Sequence, residues 1–430
     1  MSLTTLALTG LAGLFLLMLL RMPISFSMFI VGFVGLLAAA SPKAAFSVLT
    51  ADLWNQFSSY TMSVIPLYIL MGEIIFRTGV NQSLFKAAYK WMGQFKGGMA
   101  ATVVLASSGF AAICGSNSAT AAAMGTMALP ELKKYKYNET LSTGTVAAGG
   151  TLGIIIPPST VLLVIALQTE QSVRELFVAS VIPGIILTLL FLGTVFYLCQ
   201  RNPELGPAGP RADFKEKLAS LPGLIPTLLL FVFVIGGLFL GWFTPTESGA
   251  FGAFGAMVIS LAMGKLNFEN LKAALFGTLK SATMVITLVV GAMVFGRFLA
   301  ITRLPYEVAN WADSLRVAPV FILVGILFIY LIGGSLMDAL GFLIISIPIF
   351  YPTVISLGYD PVWFGVVLSI ITSAGAITPP VGVTAFVVKG LSPDVPVMSI
   401  FKGACVFLFS YAVLVSLLIA FPKIVTFAVK

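Results

Sequence analysis

The stretch "TSAGAITPPVGVTAF" (residues 372–386) lies inside a long apolar run and carries consecutive prolines at Pro379 and Pro380. Each proline removes a backbone donor, and its ring clashes with the preceding turn, so no unbroken helix can pass through the pair. In lipid, every carbonyl freed by such a break must find an internal partner. A second stretch, "AGGTLGIIIPPSTVLLV" (148–164), has the same order of small residues, Pro157 and Pro158, then a hydroxyl residue. The two double prolines stand 222 residues apart, and the same offset pairs Pro23 with Pro245 and Thr61-Met62 with Thr283-Met284.

That both breaks are membrane-buried follows from the whole chain. Its 430 residues are 59% hydrophobic and 9% charged, with mean hydropathy +1.05. Apolar runs near spanning length recur at 3–20, 23–40, 176–198, 224–242, 249–263, 282–300, 320–332 and 404–421. The fold class expected is an all-α polytopic membrane protein; the alternation of a membrane barrel is absent. The first run has no basic leader and no small-residue cleavage site before Arg21, so it is expected to span. Cys114, Cys199 and Cys405 sit in or beside apolar runs and are expected as free thiols. There is no histidine, which removes His-based general bases and most transition-metal sites. The net charge of +8 does not point to nucleic acid, because no basic patch is interleaved with exposed aromatics. With the N-terminus outside, about 17 of the 24 Lys and Arg fall on the cytoplasmic side, so that orientation is favoured.

The offset divides the chain into halves of about 1–210 and 220–430, joined by the charged, Pro/Gly-rich "QRNPELGPAGPRADFKEK". The first half starts outside and the second inside, which makes an inverted-topology repeat, a common construction of secondary transporters. "CGSNSATAAAMGTMALPEL" (114–132) and "GGSLMDALGFLIISIPIF" (333–350) each begin polar and Gly-containing, upstream of a double proline. They read as the tips and returning limbs of two re-entrant helical hairpins. Amphipathic stretches at 81–96 and 306–315 precede them as interfacial arm helices. The expected organisation is scaffold 1–80, arm 81–98, transport 99–170, scaffold helix and linker 171–219, scaffold 220–303, arm 304–317, transport 318–398 and a scaffold helix 399–430.

Two tips and two proline-broken helices meeting near the midplane would gather carbonyls, hydroxyls and half-helix ends, which suit a small hard cation. The first sodium site is expected from Ser116, Asn117, Ser118, Gly150, Gly153 and Pro157. The second is expected from Gly333, Gly334, Ser335, Asp338, Thr372, Gly375 and Thr378, with Asp338 as the ionisable candidate. Arg297 offers a planar fork for a substrate carboxylate, and Ser118, Pro158, Ser159 and Pro380 are the other candidate substrate contacts. Glu73 reads as a structural partner of Arg77, and Glu247 as part of a helix start. Small and hydroxyl residues also serve as plain helix contacts, but proline pairs at matched positions are not explained by packing. An intramembrane hydrolase is disfavoured because Ser116 has no histidine and Asp338 no second carboxylate. A channel is disfavoured because no charged ring or filter repeat is present.

"RMPISFSMFIVGFVGLL" (21–37), "IPLYILMGEIIFRTG" (65–79), "GWFTPTESGAFGA" (241–253), "LMDALGFLIISIPIFYPTVISLGYDPVWFGVV" (336–367) and "AGAITPPVGVTAFV" (374–387) resemble the large membrane subunit of TRAP (tripartite ATP-independent periplasmic) transporters. The resemblance implies a sodium-coupled importer of an organic acid anion, of the C4-dicarboxylate, sialic acid or other sugar-acid class. It also implies transported Na+, a periplasmic substrate-binding protein, a separate small four-helix membrane subunit, the bacterial inner membrane and an elevator movement. The alternative is a stand-alone sodium-dependent dicarboxylate or citrate carrier of related architecture.

Overall fold

The computed structural model describes residues 2–427 and 429, with Asn81 as backbone only. Met1, Ala428 and Lys430, at the ends of the first and last expected blocks, lie outside the described residues. The described residues form helices and no strand. Among the described residues, seven helices are long and apolar enough to cross a membrane, or eight if one pair bent by 48° is a single span.

The first hairpin pairs Gly98–Cys114 with Asn117–Lys134. Gly115 turns the chain with φ +63°, a conformation open to glycine, and Ser116 then caps the returning limb by accepting from Ala119 N at 3.4 Å. That limb runs through Pro130 to Lys134, four residues beyond the proline. The second hairpin pairs Pro319–Leu336 with Ala339–Ser356, and Asp338 is the cap, accepting from Leu340 N at 3.1 Å.

Both double prolines break their helices. The first broken helix is Glu139–Ile155 and Thr160–Thr169; the second is Pro361–Gly375 and Val383–Leu391. Both Pro-Pro peptide bonds are cis. Asn138 and Asp360 cap the two leading halves through their side chains. The 222-residue offset carries through the structure: Asn117–Lys134 and Ala339–Ser356 begin and end in step, and capping residue 116 falls on 338. Ser373 Oγ donates to the Thr151 carbonyl at 2.9 Å, and these residues are themselves 222 apart. Equivalent positions of the two halves therefore touch, which places the pseudo-two-fold axis between the broken helices.

Arm helices form at Asn81–Met92, which stops four residues short of its amphipathic stretch, and at Leu304–Ser314, which starts two residues ahead of its own. Around the repeats, Ile24–Ala39 crosses Phe268–Ile301 at a close backbone approach. A Cβ on Gly32 would stand 2.7 Å from Phe295 N, and one on Gly291 2.4 Å from the Ser25 carbonyl. At 34 residues, Phe268–Ile301 is longer than a perpendicular span and begins well before the apolar run at 282. The expected span at 224–242 is instead Ile225–Phe231, a π turn at Val232–Gly236 and Gly237–Phe239. Pro42–Ser58 forms a helix that hydropathy alone did not select, because its mixed face carries Asp52. Thr244 and Glu247 complete a reciprocal capping box at the start of Pro245–Ala262, as the sequence suggested.

The helices at 171–219 and 399–430 were expected in the scaffold; the second is hydrogen-bonded to the broken helices, and the first packs against them, with Leu176 beside Gly365 and Gly184 beside Ile156. Tyr411, on Leu408–Ala420, donates to Thr151 Oγ1 at 2.7 Å and lies 3.0 Å from Ser373 Oγ. Trp363 Nε1 donates to the Leu418 carbonyl at 3.1 Å, and Phe191 of Val173–Arg201 packs edge-on against Phe407 and Tyr411.

Candidate functional site between the hairpin tips and the long helices

Each hairpin tip is fastened to the break of the helix that follows it. The Gly115 carbonyl accepts from both Thr160 N at 3.2 Å and Thr160 Oγ1 at 2.9 Å. The Ser335 carbonyl accepts from Val381 N at 3.1 Å and Gly382 N at 3.0 Å. Backbone groups freed by the prolines are thus answered by the re-entrant tips, as a chain without water around it requires.

Small residues make this docking tight. A Cβ on Gly153 would lie 2.4 Å from the Ser116 carbonyl oxygen, and one on Gly150 2.6 Å from Ala121 Cβ. On the other side, a Cβ on Gly375 would lie 2.6 Å from the Gly334 carbonyl carbon, and one on Gly334 2.9 Å from the Thr372 carbonyl. The structure therefore brings Ser116, Gly150 and Gly153 to one tip–break junction, with Pro157 in the buried break beside it. It brings Gly334, Ser335, Thr372 and Gly375 to the other. Thr378 Oγ1 donates to the Ala374 carbonyl at 2.8 Å within that break, and Gly333 lies under the Phe342 ring. The junctions differ in exposure: Pro157, Pro158 and Ser159 are buried, whereas Pro379, Pro380 and Val381 are exposed.

A cavity of about 500 Å³ opens where the two tips face the long helices. Its polar lining is Ser116, Asn117, Ser118 and Thr160 from the first repeat, Asp338 from the second, and Glu73 and Ser281 from outside the hairpins. Asn117 is 6% exposed; its Oδ1 accepts from Ser118 N at 2.7 Å, while its buried Nδ2 has no protein acceptor. Glu73 accepts from Arg77 Nε at 3.3 Å, the pair read from sequence, and glycine at 277 leaves room for its carboxylate. Among the described residues lining the cavity there is no Lys or Arg. Glu73, Thr160 and Ser281 were not singled out as contacts. The signal for Glu73 was there, as an acidic side chain inside an apolar run.

Of the substrate-contact candidates, only Ser118 lines this cavity. Arg297 is elsewhere: its Nε and Nη2 donate to Asp52 Oδ2 at 2.9 Å and Oδ1 at 3.1 Å. The fork offered to a substrate carboxylate is committed to one from its own chain, which sequence could not show because the partner is 245 residues away. Ser159 Oγ donates to the Ile154 carbonyl at 2.5 Å and accepts from Leu162 N, so its hydroxyl serves the break itself. Pro158 is buried beside it, and Pro380 is exposed away from the cavity lining. Arg297→Gln leaves the Asp52 carboxylate, 9% exposed, short of its partner. We expect a loss of stability of about 1–3 kcal/mol with substrate preference unchanged. A lower melting temperature in detergent at constant relative uptake of different acids is the expected record; altered preference in a fully stable variant would return Arg297 to the substrate path.

Residues 11–424 match the family described as tripartite ATP-independent periplasmic transporter, DctM component. The chain belongs to the large-subunit family of TRAP transporters. Several curated TRAP relatives are of similar length. The C4-dicarboxylate TRAP transporter large permease protein DctM of Pseudomonas aeruginosa is 35% identical, over 80% of this chain and 80% of that one. The 2,3-diketo-L-gulonate TRAP transporter large permease protein YiaN of Escherichia coli is 31% identical, over 80% and 81%. The sialic acid TRAP transporter large permease protein SiaM of Vibrio cholerae is 26% identical, over 94% and 93%. Among solved structures, the YdaH transporter of Alcanivorax borkumensis superposes with TM-score 0.61 over 89% of this TRAP chain and 90% of that one, at 14% identity, a likeness of fold.

Proposed function

We propose that this chain is the membrane-spanning, ion-coupled subunit of an importer for an organic acid anion, delivered by a periplasmic binding protein. The observation that carries the reading is the shared cavity. Two hairpin tips of opposite repeats, each bonded to a proline break, converge on one polar chamber inside an otherwise apolar protein. The relatives named for dicarboxylate, sialic acid and 2,3-diketo-L-gulonate TRAP transporters support an acidic substrate.

Sodium is the coupling cargo in this reading. The first junction supplies hydroxyls and backbone carbonyls around Ser116, Gly153 and Pro157; the second supplies those around Ser335, Thr372 and Thr378, with Asp338 nearby at the tip. Oxygen donors of this kind fit a hard monovalent cation. The substrate enters the cavity beside them. Hairpins and broken helices then slide as a block past Ile24–Ala39, Val64–Thr78, Pro245–Ala262 and Phe268–Ile301, an elevator in a bacterial inner membrane with the N-terminus outside. The buried bonds of Tyr411 and Trp363 favour Leu408–Ala420 as a passenger of the block, and Val173–Arg201 joins it through Phe191 and the Thr194–Ser410 hydroxyl pair. A separate four-helix subunit holds the scaffold.

The test is uptake by proteoliposomes containing the chain, the small subunit and a loaded binding protein. An inward sodium gradient should drive accumulation and an equal potassium gradient should not. Equal uptake with potassium would remove sodium from the mechanism.

A further inference from the structure

The leading halves of the two broken helices agree in offset and in capping, but not in what they bury. On Glu139–Ile155, Ser142, Thr145, Gly149 and Gly153 recur at steps of three and four residues and so share one face. That face lies against the first hairpin. A Cβ on Gly149 would meet Ser107 Oγ at 2.6 Å, and one on Gly153 would meet the Ser116 carbonyl oxygen at 2.4 Å. Ser142, Thr145 and Ser107 are 5%, 0% and 0% exposed, and the hydroxyl of each has no hydrogen-bond partner among the described residues. A buried hydroxyl on a helix has a ready acceptor in the carbonyl one turn back, and the neighbouring Thr102, Thr143 and Thr151 use it. Ser142, Thr145 and Ser107 do not, and they lie in one file.

The file has two ends. Ser142 lines a cavity of about 640 Å³ between the returning limb of the hairpin, the start of Glu139–Ile155 and the loop at 391–395. Lys133 and Lys136 line it too, on the side that the charge bias assigns to the cytoplasm. Gly153, about 16 Å further along the helix, belongs to the first tip–break junction. In the other repeat, the positions 222 residues on from Ser142 and Thr145 are Phe364 and Val367, both 0% exposed. The register is not at fault, because the caps Asn138 and Asp360 keep the same offset. This face of the broken helix is therefore polar only in the half that starts on the cytoplasmic side.

Buried polar groups that the protein leaves unanswered are met by water, and a hydroxyl oxygen serves a passing cation equally well. We propose that the seam between the first hairpin and Glu139–Ile155 is a hydrated passage by which the coupling cation leaves the first junction for the cytoplasm. An importer discharges on one side only, which accounts for the apolar Phe364 and Val367 in the opposite repeat. The inference rests on the sodium reading of the first junction.

Silver ion, a monovalent cation close to sodium in size that reacts with thiols, is the probe. The chain carrying Cys114→Ser, Cys199→Ser and Cys405→Ser is reconstituted with its small subunit in nanodiscs and chloride-free buffer. Thiol blocked by silver is followed as thiol lost to a maleimide label. Thr145→Cys should be blocked roughly tenfold faster than Val367→Cys, its equally buried counterpart. In proteoliposomes with a loaded binding protein, Thr145→Val should cut the maximal rate of sodium-driven uptake roughly tenfold without raising the half-saturating sodium concentration. Thr145→Ser, which keeps the hydroxyl, should restore the rate. A dry, unused hydroxyl predicts the reverse, since its apolar isostere is neutral or stabilising. Equal silver rates at 145 and 367, or undiminished uptake by Thr145→Val with a raised melting temperature, overturns the passage and leaves the sodium reading standing. Uptake by the unaltered chain that is indifferent to sodium overturns both.

Discussion

Replacing Gly153 or Gly375 by alanine is expected to reduce sodium-driven uptake at least tenfold while the protein still reaches the membrane. The two residues occupy equivalent places in the two repeats, one on each broken helix just before its proline pair. A methyl at 153 would stand 2.4 Å from the Ser116 carbonyl oxygen and 2.7 Å from Thr120 Oγ1; a methyl at 375 would stand 2.6 Å from the Gly334 carbonyl carbon and 2.8 Å from the Leu331 oxygen. Most of these neighbours are main-chain atoms, which cannot rotate away as a side chain can. Relief requires the hairpin tip to withdraw from the break, at about 1–3 kcal/mol for an over-packed contact. The withdrawn atoms are the oxygens proposed to surround the cation, and each 1.4 kcal/mol lost from ion binding is about tenfold in affinity. Gly193 and Gly325 serve as controls, since a Cβ on either meets nothing within 4 Å. Gly193→Ala and Gly325→Ala should transport normally. Normal uptake by Gly153→Ala or Gly375→Ala would mean that tip and break do not form the ion site.

The repeat, the hairpins and the interruptions were legible in the sequence because each rests on local chemistry. Consecutive prolines interrupt a helix, Gly115 turns the chain at the first tip, and an undisturbed offset keeps the halves in register. Legibility ended where the decisive partner is distant in the chain. Arg297 looked available for a substrate until Asp52 was seen to fill its fork, and Asp52 sits on Pro42–Ser58, a helix whose mixed face gave too weak a hydropathy signal. Glu73 was recognised as the partner of Arg77, but nothing in its own neighbourhood in the sequence shows that the hairpin tips of both repeats come to face it.

The division that the proposed elevator needs, between moving and fixed parts, was obscured for a related reason. Val173–Arg201 and Leu408–Ala420 read as ordinary spans, and hydropathy assigns no span to one body or another. Tyr411 supplies a contact argument for the proposed block: its hydroxyl bridges Thr151 and Ser373, one residue from each half, at the point where the halves touch. A sliding block could leave this helix behind only by stripping those bonds in a buried setting. The buried hydroxyl network therefore argues that the helix travels.

Asp338→Ser is expected to lower apparent sodium affinity roughly 10- to 100-fold without loss of fold. Asp338 has two duties that must be separated. As a cap it accepts from Leu340 N and starts Ala339–Ser356; as an acid it brings a carboxylate to the cavity. The other repeat shows how to remove one duty and keep the other, because Ser116, at the equivalent position, caps Asn117–Lys134 through a hydroxyl. Serine at 338 preserves a good cap, whereas Asp338→Ala forfeits about 1 kcal/mol of helix stability as well. An interaction with a charged group contributes about 1.5–3 kcal/mol, which sets the expected shift. The half-saturating sodium concentration for uptake, measured beside the melting temperature, reads both duties at once. Asp338→Ser should move the first and leave the second; Asp338→Ala should move both. If Asp338→Ser responds to sodium as the unaltered chain does, the carboxylate is no part of the cation site. The second junction must then hold its ion with hydroxyls and carbonyls alone, as is proposed for the first.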